Sequence, residues 1–271
     1  MKKYIDHFNL KMIAKSGQCF RFKCISESPL TYEVVHRGHY VKITELSADK
    51  SGSVLDFSCD EVTFDEVFSD FLDLGTDYNY VEKAIYDFND SHLIECYKKG
   101  YGIRILKQDL WEMIVSFLIS QNNNIKRISN SIEAICKKAD LPSIENPDAK
   151  RFPRPGEIDS SLFDDPSLGL GYRVPYLKEI YEYARKNPDW LNMLSGMSYT
   201  DAYENLLSHL GIGPKVSNCI CLFGLHHTDA FPIDTHIKQL LDKYYDGHFD
   251  TDYFKGIAGI IQQYLFYYEI M

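Results

Sequence analysis

The apolar residues of this chain change their period once. Before about residue 64 they alternate or cluster in short β-branched runs, at Cys19–Ile25, Thr31–Val35, Tyr40–Glu45 and Ser53–Phe57. Gly17, Ser28-Pro29, Gly38 and Lys50-Ser51-Gly52 punctuate those runs as turn residues do. From Phe64 to the C-terminus the spacing is helical. Strands grouped first and helices after predict an α+β chain, an N-terminal antiparallel β-sheet part followed by a mostly helical one. The 271 residues suffice for one large domain or two fused ones.

Seven cysteines, at 19, 24, 59, 96, 136, 219 and 221, include no C-x-x-C pair. The odd number and the spacing argue against a disulfide framework and a zinc ribbon, and no cysteine after Cys221 leaves no four-Cys iron–sulfur loop near the C-terminus. No apolar run is long enough to span a membrane and no signal peptide is recognisable, so a reducing cytoplasm is the expected setting and no membrane partner is expected. The net charge of -10 runs against a nucleic-acid partner, but its distribution matters more than its total. Eight Asp or Glu lie between Asp56 and Asp77, in a stretch from Gly52 to Glu82 with no Lys or Arg. This acid is expected to face away from any ligand. Lys126, Arg127, Lys137, Lys138, Lys150, Arg151 and Arg154 stand against five acids between Leu110 and Pro155.

Asp109-Leu-Trp-Glu112 reads as a helix start in which Asp109 caps free amides and Glu112 reaches back. The run Leu110–Ser120 is apolar nearly all round, which predicts a buried strut. It ends in Gln121-Asn122-Asn123-Asn124, poor helix formers that favour local backbone bonding. Residues 140–170, rich in Pro, Asp and Ser, read as an irregular connector.

The sharpest local feature is Leu207-Ser-His-Leu-Gly-Ile-Gly-Pro-Lys-Val-Ser-Asn-Cys219. A helical pattern ends at Gly211, another begins at Pro214, and Gly211-Ile212-Gly213 makes the turn between them. Two glycines allow close backbone approach, and a helix start presents free amides, which suits a phosphate. A plain packing corner fits the same residues. Lys215 lies in the first turn of the second helix, where the dipole disfavours a positive side chain. A nucleophilic lysine must shed a proton before attack and gains from that position, while phosphate contact by a charged lysine is the competing reading. Further on, Ala230-Phe-Pro-Ile-Asp234-Thr-His236 opens another helical run. Asp234 is placed as its N-cap, and a carboxylate held there could also stabilise positive charge on a nearby sugar. His236 in the first turn suits a phosphate, although a lone histidine is more often a core or surface residue.

A hairpin Gly-Ile-Gly, then Lys, then Pro-Ile-Asp-Thr-His about twenty residues later resembles the helix–hairpin–helix DNA glycosylase superfamily, and within it the 8-oxoguanine DNA glycosylases. The resemblance covers nearly the whole chain. Ser16-Gly17-Gln18-Cys19-Phe20-Arg21-Phe22 is similar to the family's N-terminal signature, and Gly102-Ile-Arg-Ile-Leu-Lys-Gln-Asp109 to the start of its helical domain. Asn122-Asn123-Asn124-Ile125-Lys126-Arg127-Ile128 resembles its DNA-inserting loop, Leu170-Gly171-Tyr172-Arg173 its wedge, and Phe254–Phe266 its closing helix.

The resemblance implies an N-terminal antiparallel sheet domain with helices over residues 1–101 and an all-α helix–hairpin–helix glycosylase domain of two subdomains over 102–271, with its hairpin near residues 200–225. It implies a bifunctional enzyme that flips 8-oxoguanine, preferably opposite cytosine, out of duplex DNA and nicks the strand. Lys215 would attack the sugar and Asp234 would stabilise its positive charge. The carbonyl of Gly17 would accept the N7 proton that guanine lacks, Gln262 would read the pairing edge, and Phe266 and Cys219 would cover the two faces of the base. Asn122 would fill the vacated stack and Tyr172 would wedge beside the partner base, with Arg127 and Arg173 donating to an orphan cytosine. Gly211, Gly213 and His236 would meet the phosphates. No cofactor is required. Backbone carbonyls of Leu207, His209 and Ile212 could hold a structural monovalent cation or Ca2+ at the hairpin. The expected partner is double-stranded DNA containing an oxidised purine, bound by a monomer, at the nucleoid if the cell is bacterial. Taken alone, each motif also has a bland reading: a surface loop for the Asn run, a core aromatic for Tyr172, an amphipathic C-terminal helix for Gln262 and Phe266. Two alternatives stand beside the main one. A monofunctional alkylpurine glycosylase would rely on the aspartate without the lysine, and a non-catalytic helix–hairpin–helix module would bind DNA only.

Overall fold

The computed structural model describes residues 1–271. A single five-stranded antiparallel sheet forms the N-terminal part: β1 (Lys2–Asp6), β2 (Lys23–Glu27), β3 (Leu30–His36), β4 (His39–Ala48) and β5 (Gly52–Phe57), in the spatial order β1-β5-β4-β3-β2. Three hairpins and the return of β1 to the far edge of β5 give this order, with Lys2 opposite Asp56 and Asp6 opposite Gly52. Helix α1 (Leu10–Lys15), capped by the Asn9 side chain, buries Leu10 and Ile13 against the sheet. The short helical turns α2 (Glu61–Thr63), a π-turn over Phe64–Phe68 and α3 (Ser69–Phe71) add Phe64, Phe68 and Phe71 to the same core.

The rest is helical: α4 (Tyr78–Phe88), α5 (Ser91–Lys99), α6 (Leu110–Ser120), α7 (Ile125–Ala139), α8 (Val174–Lys186), α9 (Trp190–Ser195), α10 (Tyr199–Leu207), α11 (Pro214–Phe223), α12 (Thr235–Tyr244) and α13 (Ala258–Ile270). The α+β class therefore holds. The two hydrophobic cores do not divide at one point of the chain: Phe20 and, from α4 and α5, Tyr78, Val81, Ile85, Leu93 and Cys96 join the larger helical core, while Leu106 joins that of the sheet. Helix α6 is the buried strut expected of it, with Trp111 through Ile119 all shielded. Residues 140–170 contain only 3-10 turns and one isolated bridge between Pro142 and Lys150.

Three details differ from the sequence reading. The first strand, β1, has too little apolar content to stand out: of KKYID only Ile5 is buried, as expected for an edge strand. The run placed at Cys19–Ile25 becomes a strand only from Lys23, because residues 16–22 form a loop in which Gly17 takes a φ of +79° and side-chain amides replace ladder partners. Asp109 caps α6 as expected, accepting from the Glu112 amide at 2.9 Å, but the Glu112 carboxylate turns inward toward Arg21, 3.9 Å away, instead of closing a capping box.

Helix α13 is buried on nearly every side from Ala258 to Leu265, not amphipathic. It crosses between α5, α12 and the loop at residues 16–18, and so brings the two ends of the chain together.

Candidate active site

The hairpin between α10 and α11 is built as the two glycines suggested. Gly211 has a φ of +83°, and a Cβ there would lie 2.5 Å from the ring of Tyr176 on α8, so both backbone and space require glycine. Gly213 is the N-cap of α11 with no side-chain cap, and a Cβ there would meet nothing within 4 Å. Its helix start is thus open on the outer side.

Lys215 follows in the first turn of α11, half-buried, its ammonium 5.4 Å from the centroid of the Phe117 ring on α6. One turn later Cys219 is buried. Burial pushes its thiol pKa up, the charge and hydrogen bond of Lys215 oppose that rise, and the negative charge of Asp234 adds to it. The lysine and the aspartate therefore bear on one sulfur from two elements. Asp234 is the N-cap of α12, its Oδ1 accepting from the Ile237 amide at 2.9 Å while its other oxygen has no hydrogen-bond partner. His236, exposed in the first turn of α12, meets Phe266 edge-on at 6.3 Å between ring centroids.

These groups open on a cleft of about 1290 Å3. Gly17, Lys215, Cys219, Asp234, Gln262 and Phe266 line it together, with Asn122, Gly213 and His236. A Cβ on Gly17 would lie 3.2 Å from Phe266 Cε1 and 3.4 Å from Ile125 Cδ1, so the loop comes up against the edge of the aromatic ring with room for no side chain. Gln262 is buried and donates to the carbonyl of Pro232 at 3.0 Å, which leaves one amide hydrogen and its oxygen for the cleft. Asn122, at the turn after α6, holds a left-handed φ of +47°.

The remaining expected residues lie outside the cleft lining. Arg127 is exposed in the first turn of α7, its amide capped by the Asn124 side chain at 3.0 Å. Tyr172 is exposed and donates to the Gln121 carbonyl at 3.1 Å. Arg173 differs from expectation. Its guanidinium is buried and donates to the carbonyls of Gln121, Leu170 and Asn122 rather than outward; the Asn loop leaves the carbonyls of Gln121 and Asn122 without helical partners, while that of Leu170 also accepts from the Arg173 amide at 3.2 Å. Leu207, His209 and Ile212 sit on the hairpin. The carbonyls of Leu207 and Ile212 accept no hydrogen bond and that of His209 accepts one, from the Ile212 amide at 3.1 Å, so this donor set fits a hard cation. No cluster of His, Cys, Asp or Glu side chains could hold a metal.

The cleft wall also holds Phe117 and Lys238, which the sequence reading missed, and Phe20 and Lys126, which it placed in motifs without a role of their own. Lys238 lies four residues after Asp234, and that helical spacing could have found it. Phe117 lies on a helix with no polar face to orient it. Among the lining residues Asp234 is the one carboxylate, against Lys126, Lys215 and Lys238. None of the acids from Asp56 to Asp77 reaches the cleft. The basic stretch contributes less than its composition suggests: Lys138, Lys150 and Arg151 are paired with Asp165, Asp140 and Glu157. No helix is long and apolar enough to cross a membrane.

Residues 1–114 match the family model described as 8-oxoguanine DNA glycosylase, N-terminal domain. A Saccharomyces cerevisiae N-glycosylase/DNA lyase is 33% identical over 158 residues, 53% of this chain and 42% of that protein, so the chain spans less than half the length of this curated relative. The structure of MBOgg1 in complex with a low-affinity DNA ligand superposes with a TM-score of 0.86 at 31% identity, covering 98% of this chain and 93% of that one. The Clostridium acetobutylicum 8-oxoguanine glycosylase/lyase, in complex with double-stranded DNA containing cytosine opposite 8-oxoG, gives 0.85 at 28% identity over 99% of this chain and 97% of that one. With the sheet, the hairpin and the cleft in the same chain, these likenesses have one reading: the chain belongs to the 8-oxoguanine DNA glycosylase family.

Proposed function

We propose that this protein is a bifunctional DNA glycosylase and abasic-site lyase that excises 8-oxoguanine, preferably opposite cytosine, from duplex DNA. The observation that carries the reading is the convergence of Lys215 and Asp234 on a cleft whose other wall is Gly17 against Phe266. A flipped purine entering this cleft stacks on Phe266, with Cys219 on its other face and Gln262 at its pairing edge. The Gly17 carbonyl accepts no hydrogen bond within the protein and is available to the N7 proton of 8-oxoguanine. Guanine offers a lone pair at N7, so two acceptors would face each other and the site would reject it.

In the reaction, Lys215 as a neutral amine attacks C1′ as the glycosidic bond breaks and the base departs with the bond's electron pair. Asp234 stabilises the cationic sugar. Its free oxygen is the one that does so, since the other is committed to the helix cap. The amine then forms a Schiff base with the ring-opened sugar, and loss of the 2′ proton expels the 3′ phosphate by β-elimination. The open start of α11 at Gly213, with His236 and the lysines of the cleft wall, receives phosphates. A monovalent cation or Ca2+ on the carbonyls of Leu207, His209 and Ile212 would brace the hairpin and neutralise phosphate charge. Asn122, Arg127, Tyr172 and Arg173 surround the partner strand, and the protein acts as a monomer in the cytoplasm. Base release and strand nicking, followed separately on duplexes carrying one 8-oxoguanine or one guanine opposite cytosine, test the reading. Release of 8-oxoguanine alone is expected, and release of neither base contradicts it.

A further inference from the structure

Three successive carbonyls at the head of the cleft are treated differently by the fold. The carbonyl of Ser16 accepts from Gln263 Nε2 at 2.8 Å, and that of Gln18 accepts from Gln108 Nε2 at 2.8 Å. The carbonyl of Gly17 between them accepts nothing. Both donors are buried amides, from opposite directions: Gln263 from α13 near the C-terminus and Gln108 from the segment before α6. The Gln18 side chain anchors the loop a third time, accepting from the Leu106 amide at 2.8 Å and donating to the Arg104 carbonyl at 2.9 Å.

We infer that Gln263 and Gln108 are positioning residues that fix the direction of the Gly17 carbonyl and so set the preference for 8-oxoguanine over guanine; this rests on the reading of Gly17 as the base-sensing acceptor. Glycine allows its neighbouring peptides to rotate through conformations closed to other residues. A Gly17–Gln18 peptide free to flip would present an amide N–H instead of a carbonyl oxygen, and a donor at that point favours guanine N7 over the protonated N7 of the lesion. Holding the peptides on either side removes that freedom. Gln263 is well placed for this because its neighbour Gln262 is tied to Pro232, two residues from Asp234. Two adjacent residues of α13 thus fasten the sensing loop and the catalytic loop to one rigid helix.

The test compares wild type with Gln263→Met, which keeps the length of the side chain and removes its donor. Single-turnover excision of 8-oxoguanine opposite cytosine and nicking of a preformed abasic site in the same duplex are measured side by side. The abasic site has no base to sense and reports Lys215 alone. Excision is expected to fall about tenfold, the effect of one misplaced neutral hydrogen bond, while abasic nicking stays within about twofold. Equal falls in both, or no fall in either, overturn the inference. If Gln263→Met does not fold, Gln108→Met removes the clamp on the other flank and is judged by the same ratio. Wild-type protein that nicks abasic duplex but leaves 8-oxoguanine in place contradicts the substrate reading itself, and the clamp with it.

Discussion

The Nε of Arg173 donates to the carbonyl of Gln121 at 3.0 Å, and one of its terminal nitrogens donates to Asn122 at 3.1 Å. The turn that carries Tyr172 is thereby fastened to the loop that carries Asn122. The two segments proposed to enter the duplex are thus tied to each other through one side chain. Arg173 can reach a partner base only by releasing carbonyls that then need other donors.

Arg173→Ala is therefore expected to weaken binding to a lesion duplex whatever base lies opposite, by about tenfold or more, since hydrogen bonds to a charged group are lost. Arg127→Ala, at an exposed position, is expected to relax the preference for cytosine with little loss of overall binding. Affinities measured on duplexes with each of the four opposite bases separate these effects. Unchanged selectivity in the double variant would remove the orphan-base role from both arginines.

Asp234 has a capping oxygen and a free one, so its cap and the chemical role proposed for it can be tested apart. Asparagine caps a helix as well as aspartate does. Asp234→Asn is expected to keep the unfolding free energy within about 0.5 kcal/mol of wild type and to lower the excision rate by about a hundredfold or more. A large loss of stability with the same excision rate per folded molecule would make Asp234 a cap only.

Gly211 is constrained by both its φ of +83° and the Tyr176 ring. Gly211→Ala is expected to destabilise the fold by about 1–3 kcal/mol and to weaken duplex binding through the displaced hairpin. Denaturant unfolding and binding isotherms on the same preparation check this. An unchanged midpoint would mean the hairpin gives way easily.

Glu112 supplies a pH dependence. Burial pushes its carboxyl up from 4.5 to about 7, and Arg21 offsets only part of that rise. The folded state binds this proton more tightly than the unfolded chain does. The stabilisation is complete below about pH 4.5 and is lost as pH rises through about 7. Wild type is expected to lose up to about 3 kcal/mol from this group between pH 4.5 and 8. Glu112→Gln is expected to lack that component. Parallel unfolding curves of the two proteins at every pH would contradict the assignment.

The hairpin and the cap were legible because their residues carry local signals, whereas Gly17, Cys219, Gln262 and Phe266 were reached only through the family resemblance. Pro214 and Gly211 mark the hairpin, Asp234 marks a cap, and the order of Lys215 and Asp234 along the chain is itself a motif. Residues defined by long-range contacts were not legible. Gln263 lies 247 positions from its partner Ser16, and no local pattern announces that pairing. The inward turn of Arg173 depends on where the Asn loop leaves bare carbonyls. The same distinction accounts for β1, which is a strand because β5 lies beside it, not because of its own composition. Helix α13 is not the amphipathic helix of the bland reading: the amides of Gln262 and Gln263 are both buried and bonded.

The central claim is that Lys215 makes a covalent bond to the sugar of 8-oxoguanine. Borohydride trapping on a duplex carrying one 8-oxoguanine opposite cytosine tests it most directly, beside an alkylated-purine duplex and beside Lys215→Gln. A covalent adduct on the first duplex, absent from a variant that still binds it, is the predicted result. Base release without an adduct, or an adduct that survives Lys215→Gln, would contradict it.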